Sequence, residues 1–151
     1  MKAKEMFRLF LRKNNLPPTD CEAFAFGADA DSLAALVAAG KKTACASAYE
    51  LYTHENAPLP AVGQYSVVLD SNAEAVCVIK TTLVYVCAFD KVAPLHAAKE
   101  GEGDGSLAYW RAVHADFFSR ALQQIGSSFS RQTPVVCEEF ELVYPKKGEN
   151  E

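Results

Sequence analysis

The sequence lacks several features that mark common protein classes. Its longest apolar run is bracketed by Lys80 and Asp90 and falls short of the roughly 18 residues needed to span a bilayer. The five cysteines are odd in number and form no Cys-x-x-Cys pair, which disfavours a disulfide framework or a zinc knuckle. The first residues, MKAKEMFRLFLRKNNL, mix charged and apolar side chains and do not resemble a signal peptide. We therefore expect a cytoplasmic protein with free thiols and no membrane partner.

Positive charge is also scarce. The chain has 15 Lys and Arg against 19 Asp and Glu, a formal net charge of −4. Broad binding to nucleic acid depends on many cationic contacts with phosphates, so this balance disfavours a long duplex DNA partner. A confined, locally basic pocket remains compatible with it. Half of the residues are hydrophobic, which is enough for one compact core in a chain of 151 residues.

The hydrophobic pattern predicts an α+β fold. Residues 65–70 and 74–89 are rich in Val, Thr, Tyr and Ile and flank a Ser-Asn-Ala turn, which indicates a hairpin whose second strand bends or bulges. Further strands are predicted over residues 21–26, 43–48 and 134–144. Strands separated by helices favour a curved or closed antiparallel sheet, similar to a β-barrel and flanked by helices.

Helices are predicted between these strands and before them. Apolar residues at helical spacing indicate an amphipathic helix over residues 3–13. A second helix, capped by Asp29 or Asp31, ends at Gly40. A short helix follows Pro94, and a longer one begins after Ser106 or Asp104, with Leu107, Trp110, Val113, Phe117 and Ala121 on its apolar face. The predicted boundaries are 1–18 for the N-terminal helix and linker, 19–145 for the domain and 146–151 for a disordered tail.

One candidate motif is Gly40-Lys41-Lys42-Thr43, which is similar to the end of a phosphate-binding loop. It fails that test, since Ala35 stands where the loop needs glycine and a helix leads into a strand. Side chains alternate on a strand, so Thr43, Cys45 and Ser47 would share one face and line a pocket with Lys42 at its mouth. A lysine after a helix equally complements the helix dipole, so spacing alone leaves both interpretations open.

Segments across residues 20–145 carry a family resemblance. They are Gly40-Lys41-Lys42-Thr43-Ala44, Val67-Val68-Leu69-Asp70, Val76-Cys77-Val78-Ile79-Lys80-Thr81-Thr82, Gly101-Glu102-Gly103-Asp104 and Leu107-Ala108-Tyr109-Trp110-Arg111. Together they resemble the longer bacterial branch of the ASCH domain family, a β-barrel family related to the PUA fold of RNA-modifying proteins. The resemblance implies a PUA-like barrel that binds single-stranded RNA or a modified nucleoside, and it is compatible with a homodimer.

The resemblance also implies a catalytic set. Relatives cleave single-stranded RNA or remove the acetyl group from acetylated cytidine. The amidohydrolase relatives use a Lys, a Thr three residues later and a Glu shortly after a His-Ala pair, which correspond here to Lys42, Cys45 and Glu100. The chain departs from this pattern because Cys45 replaces the usual threonine and Ser47 replaces a frequent arginine.

Two chemical schemes fit this set. A nearby Lys42 ammonium would lower the pKa of the Cys45 thiol from about 8.5 and make it a nucleophile. Alternatively, a desolvated Lys42 whose pKa falls from about 10.4 toward roughly 7 to 8 would act as general base. Glu100 would then orient the lysine or deliver a proton to the leaving amine. The competing interpretation of Cys45 is a small buried residue without chemistry.

Other residues are candidates for substrate contacts. Tyr49 and Tyr109 could stack on an exposed base, while Lys41 and Arg111 could face a phosphate. Thr43 and Ser106 could add hydrogen bonds.

The sequence predicts no metal and no cofactor. The three histidines are scattered, and His96 with Glu100 supplies two ligands at most. The leading hypothesis is a metal-independent hydrolase acting on single-stranded RNA or on an acylated cytidine. The alternative is a non-catalytic module that binds RNA or a nucleotide, so whether the protein is an enzyme stays open at this point.

Overall fold

The structure is a computed structural model and describes residues 1–146. Most of the predicted tail, 146–151, therefore lies outside the described residues. The elements, in chain order, are α1 Ala3–Lys13, β1 Glu22–Ala25, α2 Ala30–Ala38, β2 Ala44–Ala48, α3 Tyr49–Glu55, β3 Tyr65–Leu69, β4 Ala75–Ala88, a 3-10 turn Phe89–Lys91, α4 Pro94–Glu100, α5 Leu107–Gln124 and β5 Pro134–Tyr144.

The five strands form one sheet in the order β1-β3-β4-β5-β2. The β3–β4, β4–β5 and β2–β5 pairs are antiparallel, and β1 joins the edge parallel to β3. Register shifts interrupt the long β4–β5 ladder between Val78 and Ile79 and between Thr81 and Leu83. Such irregularities bend a strand and increase its twist. The sheet curls strongly into a half-barrel, which confirms the predicted curved α+β fold with flanking helices.

Helix α1 covers one end of this sheet. Its buried residues Met6, Phe7 and Phe10 pack against Val67 of β3 and Tyr144 of β5. The Phe10 ring meets the Tyr144 ring at a centroid distance of 6.3 Å. The amphipathic helix predicted over residues 3–13 is confirmed with the same bounds.

Helix α5 packs on the sheet with a different face from the predicted one. The buried residues of α5 are Trp110, His114, Phe118 and Leu122. Trp110 is in the core as expected, but the assignment of Val113 and Phe117 to the core face is wrong. Both are more than a third exposed, at 38% and 37%. The polar residue His114 faces the core, where the hydrophobic pattern predicts Val113.

Two local features of the helices differ from the sequence analysis. Helix α3 has no counterpart among the predicted helices, since it follows β2 directly and has no side-chain cap to signal its start. Asp29 stands at the N-cap position of α2 but makes no capping hydrogen bond, because its backbone is left-handed with φ 49°. The predicted Ser106 cap is confirmed, since Ser106 Oγ accepts a hydrogen bond from the Tyr109 N–H at 3.1 Å.

None of the helices within residues 1–146 is long and apolar enough to cross a membrane.

Candidate functional site

The site forms where the end of α4 meets the segment that leads into β2. The Thr43 N–H donates to the Lys99 carbonyl oxygen at 2.7 Å and ties the two segments together. Gly101 follows with φ +67°, and a Cβ atom there would overlap the carbonyl oxygen of Lys41. Only glycine accepts both the left-handed backbone and this close approach. The result is that Glu100 and Lys42 face each other in the interior.

Lys42 is one of the most deeply buried side chains of the protein. Its Nζ atom lies 3.2 Å from Glu100 Oε1 and 2.7 Å from Glu102 Oε2. The ammonium also stands 5.3 Å from the centre of the Phe26 ring, within the range of a cation–π contact. The predicted position at the mouth of a pocket is therefore wrong: Lys42 is only 2% exposed.

Glu100 accepts hydrogen bonds from several directions. Trp110 Nε1 donates to Oε2 at 2.6 Å, and His96 Nε2 lies 2.7 Å from the same oxygen. His114 Nε2 is 3.5 Å from Oε1, the oxygen that also faces Lys42. Burial alone would raise the pKa of Glu100, but hydrogen bonds from His114 and His96 and the charge of Lys42 hold that pKa far below its ordinary value. Glu100 is thus a fixed carboxylate.

The charge state of Lys42 follows from the same contacts. Burial would lower the pKa of its ammonium, but the nearby carboxylates of Glu100 and Glu102 outweigh burial and raise that pKa above its ordinary value. The expectation that desolvation brings the Lys42 pKa toward neutrality is therefore wrong. Lys42 is a cation in the free protein.

Cys45 also differs from the expectation. Burial and the neighbouring Glu138 carboxylate raise the pKa of its thiol well above the ordinary value, and the Lys42 charge offsets this only in part. The Cys45 Sγ donates to Glu138 Oε1 at 3.6 Å, and the second Glu138 oxygen accepts from Thr81 Oγ1 at 2.6 Å. The predicted lowering of the Cys45 pKa is wrong, and the residue is a neutral thiol.

A cavity of about 190 Å³ opens beside this cluster, and we call it the lysine cavity. Charged and apolar groups both face it. Its lining includes Lys42, Cys45, Glu100, Glu102, His114, Asp116 and Arg120 together with the apolar Phe26, Leu33, Val113 and Phe117. Asp116 and Arg120 pair across one helical turn at 3.0 Å, and both are exposed.

A second space of about 500 Å³ adjoins the lysine cavity, and we call it the adjoining compartment. The two share part of their walls. The shared residues are Phe26, Gly27, Cys45, Ala46 and Phe117. The two spaces therefore border each other at these residues, which include Cys45 and Ala46 of β2.

The structure brings the three predicted catalytic residues together. Lys42, Cys45 and Glu100 all line the lysine cavity, although they come from sequence positions up to 58 residues apart. The missed residues are Glu102 and His114, and with them the aromatic walls Phe26 and Phe117. Glu102 had a weak signal, because it lies two residues after Glu100 in a glycine-rich turn.

The six predicted substrate contacts line neither the lysine cavity nor the adjoining compartment. Lys41 is exposed, and the Thr43 hydroxyl donates to the Lys99 carbonyl oxygen at 3.3 Å. Tyr49 begins α3 and is 38% exposed. The side chain of Ser106 serves as the cap of α5.

The last two predicted contacts lie on the surface at the start of α5. The Tyr109 ring covers Gly103, where a Cβ atom would come within 2.5 Å of the ring. Arg111 is exposed, and its Nη2 reaches the Asp90 carbonyl oxygen at 3.4 Å.

The buried cluster also contains three groups that could ligate a metal. Glu100, Glu102 and His114 each offer an atom within 4.8 Å of the others, which exceeds the two ligands expected from the sequence. The Lys42 ammonium already contacts both carboxylates, and its positive charge opposes a metal ion in the same space. We assign no metal to this cluster.

A curled half-barrel sheet with flanking helices and a cleft at its edge defines a PUA-like α+β protein. The chain belongs to the ASCH domain family, whose model matches residues 22–144. It is similar to the ASCH domain of Lactobacillus crispatus JV V101, with 34% identity, a TM-score of 0.84 and coverage of 93% of this chain and 95% of that one. It is also similar to a protein of Enterococcus faecalis V583, with 31% identity, a TM-score of 0.85 and coverage of 98% and 93%. No match was found among curated proteins.

Proposed function

We propose that the protein is a metal-independent amidohydrolase that removes the acyl group from an acylated nucleoside such as acetylated cytidine. The observation that carries this proposal is the buried Lys42 ammonium, held between two carboxylates at the wall of the lysine cavity. A fixed ammonium in a partly desolvated cavity is suited to stabilise negative charge that develops on a carbonyl oxygen.

The charges of the lysine cavity favour deacylation over RNA cleavage. Lys42 and Arg120 are the cationic Lys and Arg side chains in its described lining, against the carboxylates Glu100, Glu102 and Asp116. A phosphodiester would bring further negative charge to this site, whereas an amide is neutral until the transition state. The cavity therefore fits an uncharged scissile group.

Glu102 is the better candidate for general base. Both carboxylate oxygens of Glu100 are buried and already contact Lys42, His96 or Trp110. Glu100 therefore serves to position the lysine. The Glu102 side chain is 17% exposed and contacts Lys42 at the cavity wall, which leaves lone pairs for a water molecule. Gly101 and Gly103 flank it with positive φ, in a turn that follows α4.

The reaction then balances without a covalent enzyme intermediate. Glu102 removes a proton from water, and the water oxygen bonds to the acyl carbon while the Lys42 ammonium hydrogen-bonds the carbonyl oxygen. The C–N bond breaks, and the proton held by Glu102 passes to the leaving amine. The products are a carboxylic acid and the nucleoside. In this scheme Cys45 forms part of the wall and carries no charge.

A specific surface feature supports a second candidate, a non-catalytic module that binds single-stranded RNA. Tyr109, Val113 and Phe117 succeed one another by one helical turn on α5 and are 41%, 38% and 37% exposed. This stripe ends at the lysine cavity, which Val113 and Phe117 line. Two of these residues, Tyr109 and Phe117, carry aromatic rings, and exposed aromatic rings can stack on bases.

One substrate comparison distinguishes the two candidates. Purified protein is incubated in EDTA with acetylcytidine and, separately, with labelled single-stranded RNA, and the products are separated by chromatography. The amidohydrolase proposal expects release of cytidine and intact RNA. Binding of the labelled RNA in an anisotropy titration, with turnover of neither substrate, would replace it with the binding module.

A further inference from the structure

The adjoining compartment has a composition that differs from that of the lysine cavity. Its walls are mainly apolar or aromatic, and its charged lining residues are Glu22 and Glu138. The described residues that line it include no Lys, Arg or His. We propose that this compartment binds the nucleoside part of the substrate and excludes a phosphate, so that the protein acts on free nucleosides in preference to nucleotides. This inference rests on the proposed function.

The sizes of the two spaces and the wall residues that they share support the assignment. Small-molecule sites commonly measure about 300 to 1,000 Å³. The lysine cavity, at about 190 Å³, is below that range and suits the acyl group alone, whereas the adjoining compartment, at about 500 Å³, falls inside it. Cys45 and Ala46 of β2 border both spaces. A ligand that straddles β2 would place its amide near Lys42 and its larger part in the adjoining compartment.

The walls offer the groups that a nucleoside needs. Phe24, Phe26 and Tyr52 provide flat faces for a base, and Ser47 and Tyr52 form a hydroxyl pair at 2.7 Å. Gln64 is oriented by the hydrogen bond that its Oε1 accepts from the Ala61 N–H at 3.1 Å. Hydroxyl, amide and carboxylate groups can pair with the hydroxyls of a ribose.

The two carboxylates account for selection against phosphate. A phosphomonoester carries about −1.5 to −2 charges at pH 7. Glu138 is held in place by Thr81 and Cys45, so it does not easily turn away from an anionic ligand. Like charges that are brought close together repel each other, and the repulsion increases as their solvation decreases. A nucleotide would meet this repulsion without a cation in the compartment to offset it.

The test compares acetylcytidine with its 5′-monophosphate at pH 7.5. We expect kcat/KM to be at least about tenfold higher for the nucleoside than for the monophosphate. In the Glu22→Gln and Glu138→Gln variants, this ratio of the two kcat/KM values should fall below about threefold. Glu141→Gln is the matched control, because Glu141 is an exposed acid on the same strand as Glu138 and lies outside the compartment. It should leave the ratio unchanged. Equilibrium dialysis of cytidine against cytidine 5′-monophosphate gives a readout that does not need turnover.

The outcomes separate the two proposals. Equal turnover of nucleoside and monophosphate overturns the phosphate exclusion and leaves the amidohydrolase proposal standing. A second outcome is that neither substrate is turned over, that cytidine binds more tightly than its monophosphate, and that only the two compartment variants reduce this preference. That outcome supports the compartment assignment and overturns the hydrolase proposal. If neither cytidine nor its monophosphate binds, or if Glu141→Gln narrows the ratio as much as Glu138→Gln, the inference is wrong.

Discussion

The Lys42 ammonium and the Glu100 carboxylate lie 3.2 Å apart, Nζ to Oε1, and neither side chain is more than 2% exposed. They come from opposite sides of one junction, where the segment after α2 meets the end of α4. Trp110 of α5 holds the other Glu100 oxygen, so three segments fix the position of the lysine. A buried charge of this kind persists because each group has its partner.

The first prediction concerns the stability of this pair. Lys42→Met leaves Glu100 as a buried carboxylate without its cation, and we expect the free energy of unfolding to fall by about 3 to 5 kcal/mol. The double variant Lys42→Met/Glu100→Gln should lose less. Arg120→Met removes a pair whose side chains are 77% and 62% exposed and is the control, with an expected change below about 1 kcal/mol. Urea titration measures all three, and equal losses from Lys42→Met and Arg120→Met would contradict the buried pairing.

The second prediction follows from the direction of the Lys42 pKa. A group whose folded-state pKa lies above its ordinary value of 10.5 stabilises the fold fully below 10.5, and this stability is lost as pH rises through the higher folded pKa. The difference in unfolding free energy between wild type and Lys42→Met should therefore stay constant from pH 7 to about pH 10 and shrink above 10.5. Urea titrations across this range test it. A difference that vanishes between pH 7 and 9 would indicate a lowered pKa and contradict the account.

The third prediction separates the two carboxylates. Glu102→Gln removes the proposed base and should lower kcat for acetylcytidine by about 10²- to 10⁴-fold, with a small change in stability. Glu100→Gln removes the buried partner of Lys42 and should lower both stability and turnover. Steady-state kinetics and urea titration on the same preparations distinguish these patterns. Full activity of the Glu102→Gln variant would show that Glu102 is not the general base.

The fourth prediction concerns Cys45. Because its thiol has a raised pKa and donates to Glu138, it should react slowly with iodoacetamide at pH 8 and become labelled readily after unfolding in urea. Peptide mass spectrometry measures the labelled fraction. Cys45→Ala should keep turnover within about fivefold of wild type, as expected of a wall residue. Rapid labelling of Cys45 in the folded protein, with loss of activity in Cys45→Ala, would restore the nucleophile hypothesis.

Much of the fold was predictable because its signals are local. Helix α1 has alternating apolar and charged residues at helical spacing, and the β3–β4 hairpin has a β-rich composition around a turn. The face of α5 was harder to predict, since His114 is buried only because Glu100 and the Trp110 carbonyl oxygen meet its ring nitrogens. No periodicity within α5 contains that information.

The site was predictable in part, and for a different reason. The family resemblance identified Lys42, Cys45 and Glu100, which the structure places in one cavity. Their charge states could not be inferred from residue type. The pKa of Lys42 depends on two carboxylates that lie 58 and 60 residues further along the chain, and burial opposes them. Only the folded distances decide which effect is larger.

The central claim is that the Lys42 ammonium stabilises the charge that develops on an acyl oxygen. Its most direct test is kcat/KM for cytidine release from acetylcytidine in EDTA, with Lys91→Met, an exposed lysine away from the cleft, as the matched control. The account predicts at least about a 10²-fold loss in Lys42→Met and in the double variant Lys42→Met/Glu100→Gln, and none in Lys91→Met. Circular dichroism confirms that each protein is folded. Turnover by a folded Lys42→Met variant within about threefold of wild type would contradict the account.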